Sequence, residues 1–392
     1  MRRLLITVAA IAGLATIGTR STAADLPPIK IGLIDSYTGT PPYITAGFDA
    51  AIKAWIDQHG DTVAGRKIEL IRRDDQSQPE VARRVAQELI VQENVDILAG
   101  IGITPNAIAV AQVSTQAKKP FLISNAATSG ILANAPYTVR FGFTTRQITV
   151  PLAQWALHYK LTSAFSVVQD YGPGIDAEAT FAQTFTDVGG KMLGSLRVPV
   201  SSRDDSAYVQ RIRDAKPKVA FTFFNLTGAR TFLNSVEQTG LLKSATQIVS
   251  ADDLVDENDL GTYGDGIVGL VSSGNYTSTH DSAVNRAFVK AFGIAYGGDG
   301  KRLPDFTNCA IYDIMNAIYQ VIAAQKGTVD PDKTIALLKG MKIDSPRGPL
   351  LIDPATRDAV QNVYIKKVLK RNGKLATIEI ETIPMVRDSS EH

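Results

Sequence analysis

The sequence predicts an α/β protein of two similar lobes, each a doubly wound parallel sheet covered by helices on both faces. Three observations predict it. Short apolar runs alternate with amphipathic stretches at helical spacing from residue 28 onward, the rhythm of successive β-α-β units. The alternation starts afresh near residue 147 with elements of similar length. No low-complexity linker separates the two sets, so extended strands rather than a flexible tether must join them.

"IKIGLID" (29–35) reads as a buried strand and "GFDAAIKAWIDQ" (47–58) as an amphipathic helix. "RKIELIRRDD" (66–75) is the next strand. In the helix that follows, Ser77 can cap, Pro79 fits the first turn and Glu80 completes a capping box. Strand "VDILAGI", helix "PNAIAVAQVSTQAK" and strand "PFLIS" close the first set. The second set runs through "QITVPLAQWALHY", "AFSVVQD", "PGIDAEATFAQTFTDVG", "KMLGSLRVPV", "SAYVQRIRDA", "KVAFTFFN", "GARTFLNSVEQTG" and "ATQIVSADD". "YTVRFGFTT" and "GIVGLVSSGNY" are the candidate joining strands. Beyond them lie helices "AVNRAFVKAFGIAYGG" and "NCAIYDIMNAIYQVIAAQ", then strands and a turn in "GPLLIDPATRDAVQNVYIKKV".

The N-terminus reads as a secretory signal peptide: a basic start, an apolar run from Leu4 to Ile17, and small residues up to a cleavage point after Ala24. Of the 41 Lys and Arg, three (Arg2, Arg3, Arg20) fall in residues 1–24, leaving 38 against 39 Asp and Glu, a net charge of −1. So balanced a chain excludes nucleic acid and anionic membrane as expected partners. Cys309 can form no intramolecular disulfide, reads as a small core residue, and is not placed at the cleavage point to accept a lipid.

In open parallel sheets, ligands sit beyond the carboxyl ends of the strands, where helix N-termini offer free N–H groups. "GIGITPNA" (100–107) and "NAATSG" (125–130) lie at such ends and supply hydroxyls at Thr104 and Thr128. Hydroxyl plus free N–H suits a carboxylate. Ordinary helix capping by the two threonines is the competing reading.

Enzyme readings find little support. "GIGITP" has Pro105 where a dinucleotide fingerprint needs glycine, and "GPGIDA" (172–177) fits G-x-G-x-x-A only as a short pattern stiffened by Pro173. Neither G-x-S-x-G nor a phosphate-binding loop motif occurs. His59, His158, His280 and His392 lack metal-ligand spacing, so no metal or cofactor is expected, and Asp74-Asp75 reads as a structural turn.

"IKIGLIDSYTGT", "GRKIELIRRDDQSQPEVA", "VDILAGIGITPNA", "PFLISNAATS", "DYGPGIDAE" and "SPRGPLLIDPATRDAVQNVYI", in that order, resemble the periplasmic solute-binding proteins of ATP-driven importers, the Leu/Ile/Val-binding family. The resemblance covers residues 28–382. It implies a type I periplasmic-binding-protein fold, two lobes joined by three crossovers, which closes on a ligand and hands it to an inner-membrane permease. The implied division is 1–24 signal peptide, 25–144 plus 276–355 one lobe, and 145–275 plus 356–392 the other.

The same resemblance puts Thr104 where the family holds a ligand carboxylate, Ala126 where backbone is offered to it, and Thr128 as a second hydroxyl and amide. Tyr171 matches an aromatic of the second lobe that closes over the ligand. Asp252 or Asp253 lies near the position of an acid that meets a ligand ammonium, and Tyr43 and Asn225 are looser candidates. The apolar Ile101 and Ile103 beside Thr104, with "SNAATS" and "DYGPGIDAE", are similar to a subgroup associated with benzoate- or phenylpropanoid-type acids. The implied function is therefore periplasmic capture of a small carboxylate by a monomer, with an aromatic acid favoured. A branched-chain or other apolar amino acid is the alternative ligand, and a ligand-sensing subunit of a receptor the alternative role.

Overall fold

The computed structural model describes residues 26–38, 42–224, 226–251 and 254–388. The chain runs through β1 (Ile29–Asp35), α1 (Pro42–His59), β2 (Thr62–Val63), β3 (Arg66–Asp74), α2 (Pro79–Val91), β4 (Ile97–Gly100), α3 (Thr104–Ala117), β5 (Phe121–Ile123) and β6 (Thr138–Arg140). The second set is α4 (Thr145–His158), β7 (Ser163–Gln169), α5 (Gly172–Asp187), β8 (Lys191–Val198), α6 (Ser206–Ala215), β9 (Val219–Phe223), α7 (Leu226–Thr239), β10 (Gln247–Ala251) and β11 (Val271–Gly274). Helices α8 (Ala283–Gly297), α9 (Phe306–Ala324) and α10 (Pro331–Leu338) precede strands β12 (Lys342–Ser345), β13 (Gly348–Ile352), β14 (Ala359–Arg371) and β15 (Lys374–Val386).

Two sheets result. One has the order β2-β3-β1-β4-β5-β6, parallel from β3 to β6, and the other β8-β7-β9-β10-β11-β14-β13-β12, parallel from β8 to β11 and edged by antiparallel strands. In each, the first parallel strand lies between the second and the third, so the order reverses there. Such a reversal opens a crevice at the strand ends, a ready place for a ligand.

The apolar content of β1 follows from burial on both faces. Ile29, Ile31 and Leu33 join one core with Phe48, Trp55, Ile314 and Ile318, while Ile34 joins another with Leu89, Leu98 and Val110. In the second sheet, Phe181 and Phe221 stack at 4.1 Å between α5 and β9. The β12–β13 hairpin hydrogen-bonds into the second sheet through β14, yet Ile343, Leu350 and Ile352 are buried in the core of the first. Residues 342–352 thus belong to one sheet by hydrogen bonding and to the other by packing.

Segments 141–144 and 275–282 cross between the two sets, and a third crossover, 353–358, leads from β13, packed in the first core, to β14 of the second sheet. Gln361 ties the first two together. Its Oε1 accepts from Asn275 Nδ2 (2.9 Å) and Arg347 Nη1 (3.0 Å), and its Nε2 donates to Gly142 O (3.2 Å) and Gln147 Oε1 (3.0 Å). Both ends of the Gln361 amide are thus fully used in a buried setting, which favours one geometry because a displacement would strand a polar group.

Some local expectations are corrected. Ser77 does not cap α2: it takes φ 57°, its N–H donates to Asp75 Oδ1, and Gln78 is the N-cap with no side-chain cap bond. The Asp74-Asp75 turn claims that segment first, with Asp74 accepting from Thr38 and Gln76 and Asp75 from Ser36. Strand β15, unmarked in the sequence reading, pairs along β14. Cys309 is wholly buried, and burial pushes its thiol far above the usual range.

Candidate ligand-binding site

Thr104 and Thr128 come together at the carboxyl end of the first sheet. Their hydroxyls are 3.0 Å apart, although 24 residues separate them in the chain. Thr104 is the first residue of α3, and the N-cap is Ile103, which offers no side-chain bond. The threonine pair is therefore not spent on capping that helix.

Backbone strain marks both loops. Ile101 takes φ 71° and Ala126 φ 55°, left-handed conformations costly for residues with a Cβ, above all a branched one. Gly100 precedes them at φ 115°, where a Cβ would lie 2.2 Å from the Ile34 carbonyl oxygen. The backbone of Ala126 is already engaged, its N–H with Gly102 O (3.3 Å) and its carbonyl with Arg140 Nη1 (2.8 Å). The N–H groups of Ala127 and Thr128 meet no acceptor among the described residues.

Arg140 holds this turn. It is wholly buried, Nη1 donates also to Thr128 O (2.8 Å), and Nε donates to Asp358 Oδ1 (2.7 Å). Burial raises the Asp358 carboxyl, and the Arg140 guanidinium opposes that rise. Asp35, at the end of β1, is 8 % exposed beside Gly102, and burial pushes its carboxyl up to about 7 against hydrogen bonds from Ser36 and Gly102.

An aromatic cluster adjoins the 126–128 turn through Ala127. Tyr171 is the N-cap of α5 and its ring centroid lies 6.2 Å from that of Phe223. Phe143, on the first crossover, meets Phe306 of α9 at 5.2 Å, and Ala127, Tyr171 and Phe306 all pack against the core that contains Phe143 and Phe223. The helix start at Tyr171 needs Gly174, since a Cβ there would lie 2.1 Å from Gln169 O.

The site therefore unites Thr104, Ala126 and Thr128 and sets Tyr171 in the apolar cluster that Ala127 joins. Tyr43 lies within α1, but its side chain, like Asn225, Asp252 and Asp253, falls outside the described residues. Sequence reasoning missed Arg140, Asp35, Phe143 and Phe306. An arginine and an aspartate at the ends of apolar runs ("TVRF", "GLID") were the available signals.

One loop of the second set meets the segment that precedes α9. Beyond β10, Asn258 binds the backbone of Leu303 in both directions, accepting from its N–H (2.8 Å) and donating to its carbonyl (3.1 Å), and Arg302 lies 3.4 Å from Asp256. Glu257, between them, accepts from Thr277 and Ser278 on the second crossover.

A family model described as periplasmic binding protein matches residues 28–374. The chain belongs to the periplasmic binding protein family. A solute-binding protein of an ABC transporter from Rhodopseudomonas palustris BisB5, solved with 3,4-dihydroxybenzoic acid, is 39% identical with a TM-score of 0.87, the match covering 93% of this chain and 99% of that one. The counterpart from Rhodopseudomonas palustris HaA2, solved with p-hydroxybenzoic acid, is 40% identical, TM-score 0.87, over 92% and 98%. Leu/Ile/Val-binding protein homolog 6 of Brucella abortus (strain 2308) is 37% identical over 95% of this chain and 96% of its own. The fold is that of type I periplasmic binding proteins. Among the described residues no helix is long and apolar enough to cross a membrane, and no group of three His, Cys, Asp or Glu could hold a metal ion.

Proposed function

We propose that this periplasmic binding protein captures a small aromatic carboxylate between its lobes and delivers it to an inner-membrane ABC permease, without catalysis. The observation that carries this reading is the hydroxyl pair Thr104 and Thr128 beside unoccupied N–H groups, in a turn whose Ala127 packs on the same apolar cluster as Tyr171 and Phe306. Hydroxyls and N–H groups bind the carboxylate, and the aromatic rings stack against an apolar body. The benzoic acids held by the two Rhodopseudomonas relatives support the same class.

In this reading the ligand binds first to Thr104, Ala126 and Thr128, with Tyr171 and the 252–253 loop closing over its other end, and Tyr43 and Asn225 as lesser contacts. Closure follows only if the ligand binds the closed arrangement better than the open one. Residues 25–144 with 276–355 form one lobe and 145–275 with 356–392 the other. The protein is exported by residues 1–24, cleaved after Ala24, left free of lipid, and works as a monomer.

The similarity to Leu/Ile/Val-binding protein homolog 6 favours a second reading, an apolar amino acid whose ammonium meets Asp252 or Asp253. A thermal-shift screen of the ligand-stripped protein separates them, because a ligand of the folded state raises the melting temperature. Shifts with benzoate and hydroxybenzoates but not with Leu, Ile or Val are expected. Shifts with the amino acids alone would replace the first reading by the second.

A further inference from the structure

Arg146 stands in the first turn of α4, next to Thr145, whose N–H and hydroxyl both reach the Ala127 carbonyl at 2.8 and 3.3 Å. The start of α4 is thereby fastened to the 126–128 turn. Arg140 and Arg357 nearby have assigned partners, Arg140 with Asp358 and the carbonyls of Ala126 and Thr128, Arg357 with the carbonyls of Thr138 and Leu132. Arg146 differs. Its Nε is buried and meets no acceptor among the described residues, and its guanidinium forms no ion pair among them. Asp176 of α5 is close enough to feel the charge, which lowers a carboxyl that burial raises, yet Asp176 Oδ2 is also buried without a donor among the described residues.

A buried guanidinium N–H without an acceptor is a standing cost that a bound carboxylate would remove, and a guanidinium matches a carboxylate in two parallel bonds. We propose that Arg146 is a specificity-determining residue that receives the ligand carboxylate from the α4 side, against the Thr104 and Thr128 hydroxyls. The inference rests on reading the crevice as a carboxylate site. It adds a charge requirement: the site selects the anion over an uncharged ligand of the same shape.

The test compares wild type, Arg146→Gln and Arg146→Lys by titration calorimetry with benzoate, 4-hydroxybenzoate and leucine, and with benzamide and 4-hydroxybenzamide as uncharged counterparts. Arg146→Gln should weaken the acid that wild type binds by on the order of 10- to 100-fold and leave its amide within about threefold. Arg146→Lys should fall between, since lysine keeps the charge but not the planar fork; it also carries the test if the Gln variant does not fold. Equal weakening of acid and amide would reduce Arg146 to a structural role and overturn the inference, as would an unchanged affinity for the acid. If wild type binds none of the acids, the proposed function fails and the inference fails with it.

Discussion

The Nε of Arg140 donates to Asp358 Oδ1 at 2.7 Å, so the residue that holds the Ala126 and Thr128 carbonyls is itself anchored to the third crossover. The turn that carries Thr128 and segment 353–358 are thus tied through Arg140. Arg357 of the same segment adds bonds to the Thr138 and Leu132 carbonyls.

Replacing Arg140 by Met should therefore damage both stability and binding. Removing one partner of a buried pair typically costs about 3–5 kcal/mol because the other charge is left behind. Urea unfolding should show a loss of that size, and calorimetry a weaker ligand even at temperatures where the variant is folded. A variant with native stability would show that Asp358 is rescued by another group.

The joint variant Thr104→Ala with Thr128→Ala should lose about 1.5–3 kcal/mol of binding free energy for each hydroxyl that meets a buried carboxylate. Stability should change little, since the pair is only partly buried and caps no helix. Unchanged affinity would remove these residues from the site.

Asn258→Ala should loosen the contact between the loop after β10 and Leu303. It leaves an N–H and a carbonyl of Leu303 without their partner, a cost of about 1–3 kcal/mol if they stay buried. On the proposed lobe division that contact spans the lobes, so stopped-flow release of bound ligand should be faster in the variant. Equal release rates would confine Asn258 to local loop structure.

Asp35 offers a pH test. Its carboxyl is pushed from the usual carboxylate range up to about 7, chiefly by burial, so the folded protein holds a proton that the unfolded chain has given up. Between about pH 4 and 7 the folded state binds the more protons, and this group's contribution to stability must fall as pH rises. Asp35→Asn should accordingly match wild type near pH 4 and exceed it near pH 8, by on the order of 2–4 kcal/mol. Parallel urea midpoints for the two proteins across that range would contradict the assignment.

Much of the architecture was legible because period and alternation are local signals. The amphipathic stretches at 79–91 and 145–158 and the apolar runs at 29–35 and 97–100 need no distant partner to be read. Strand β15 was missed because its residues lie half exposed against a single neighbour, β14, and so carry no clean alternation. Ser77 was misread for a different reason: Asp75 competes for the same turn, and side-chain acceptance from Ser77 N–H outweighs a capping box. In the site, Thr104 and Thr128 were visible as hydroxyls at strand ends, while Arg140 and Phe306 were not, since their importance lies in what they touch.

The sequence by itself determined the alternation of strands and helices, the two-lobe plan, and the hydroxyl-bearing loops that follow β4 and β5. Those features depend on residue type and short-range spacing. Only the tertiary structure decided that Thr104 and Thr128 meet at 3.0 Å, that Gln361 binds Asn275 and Gly142 across the crossovers, and that Thr145, beside Arg146, binds the Ala127 carbonyl. Each of these joins residues distant in the chain through directional hydrogen bonds, and direction in space is set by the packed sheets, not by the order of letters.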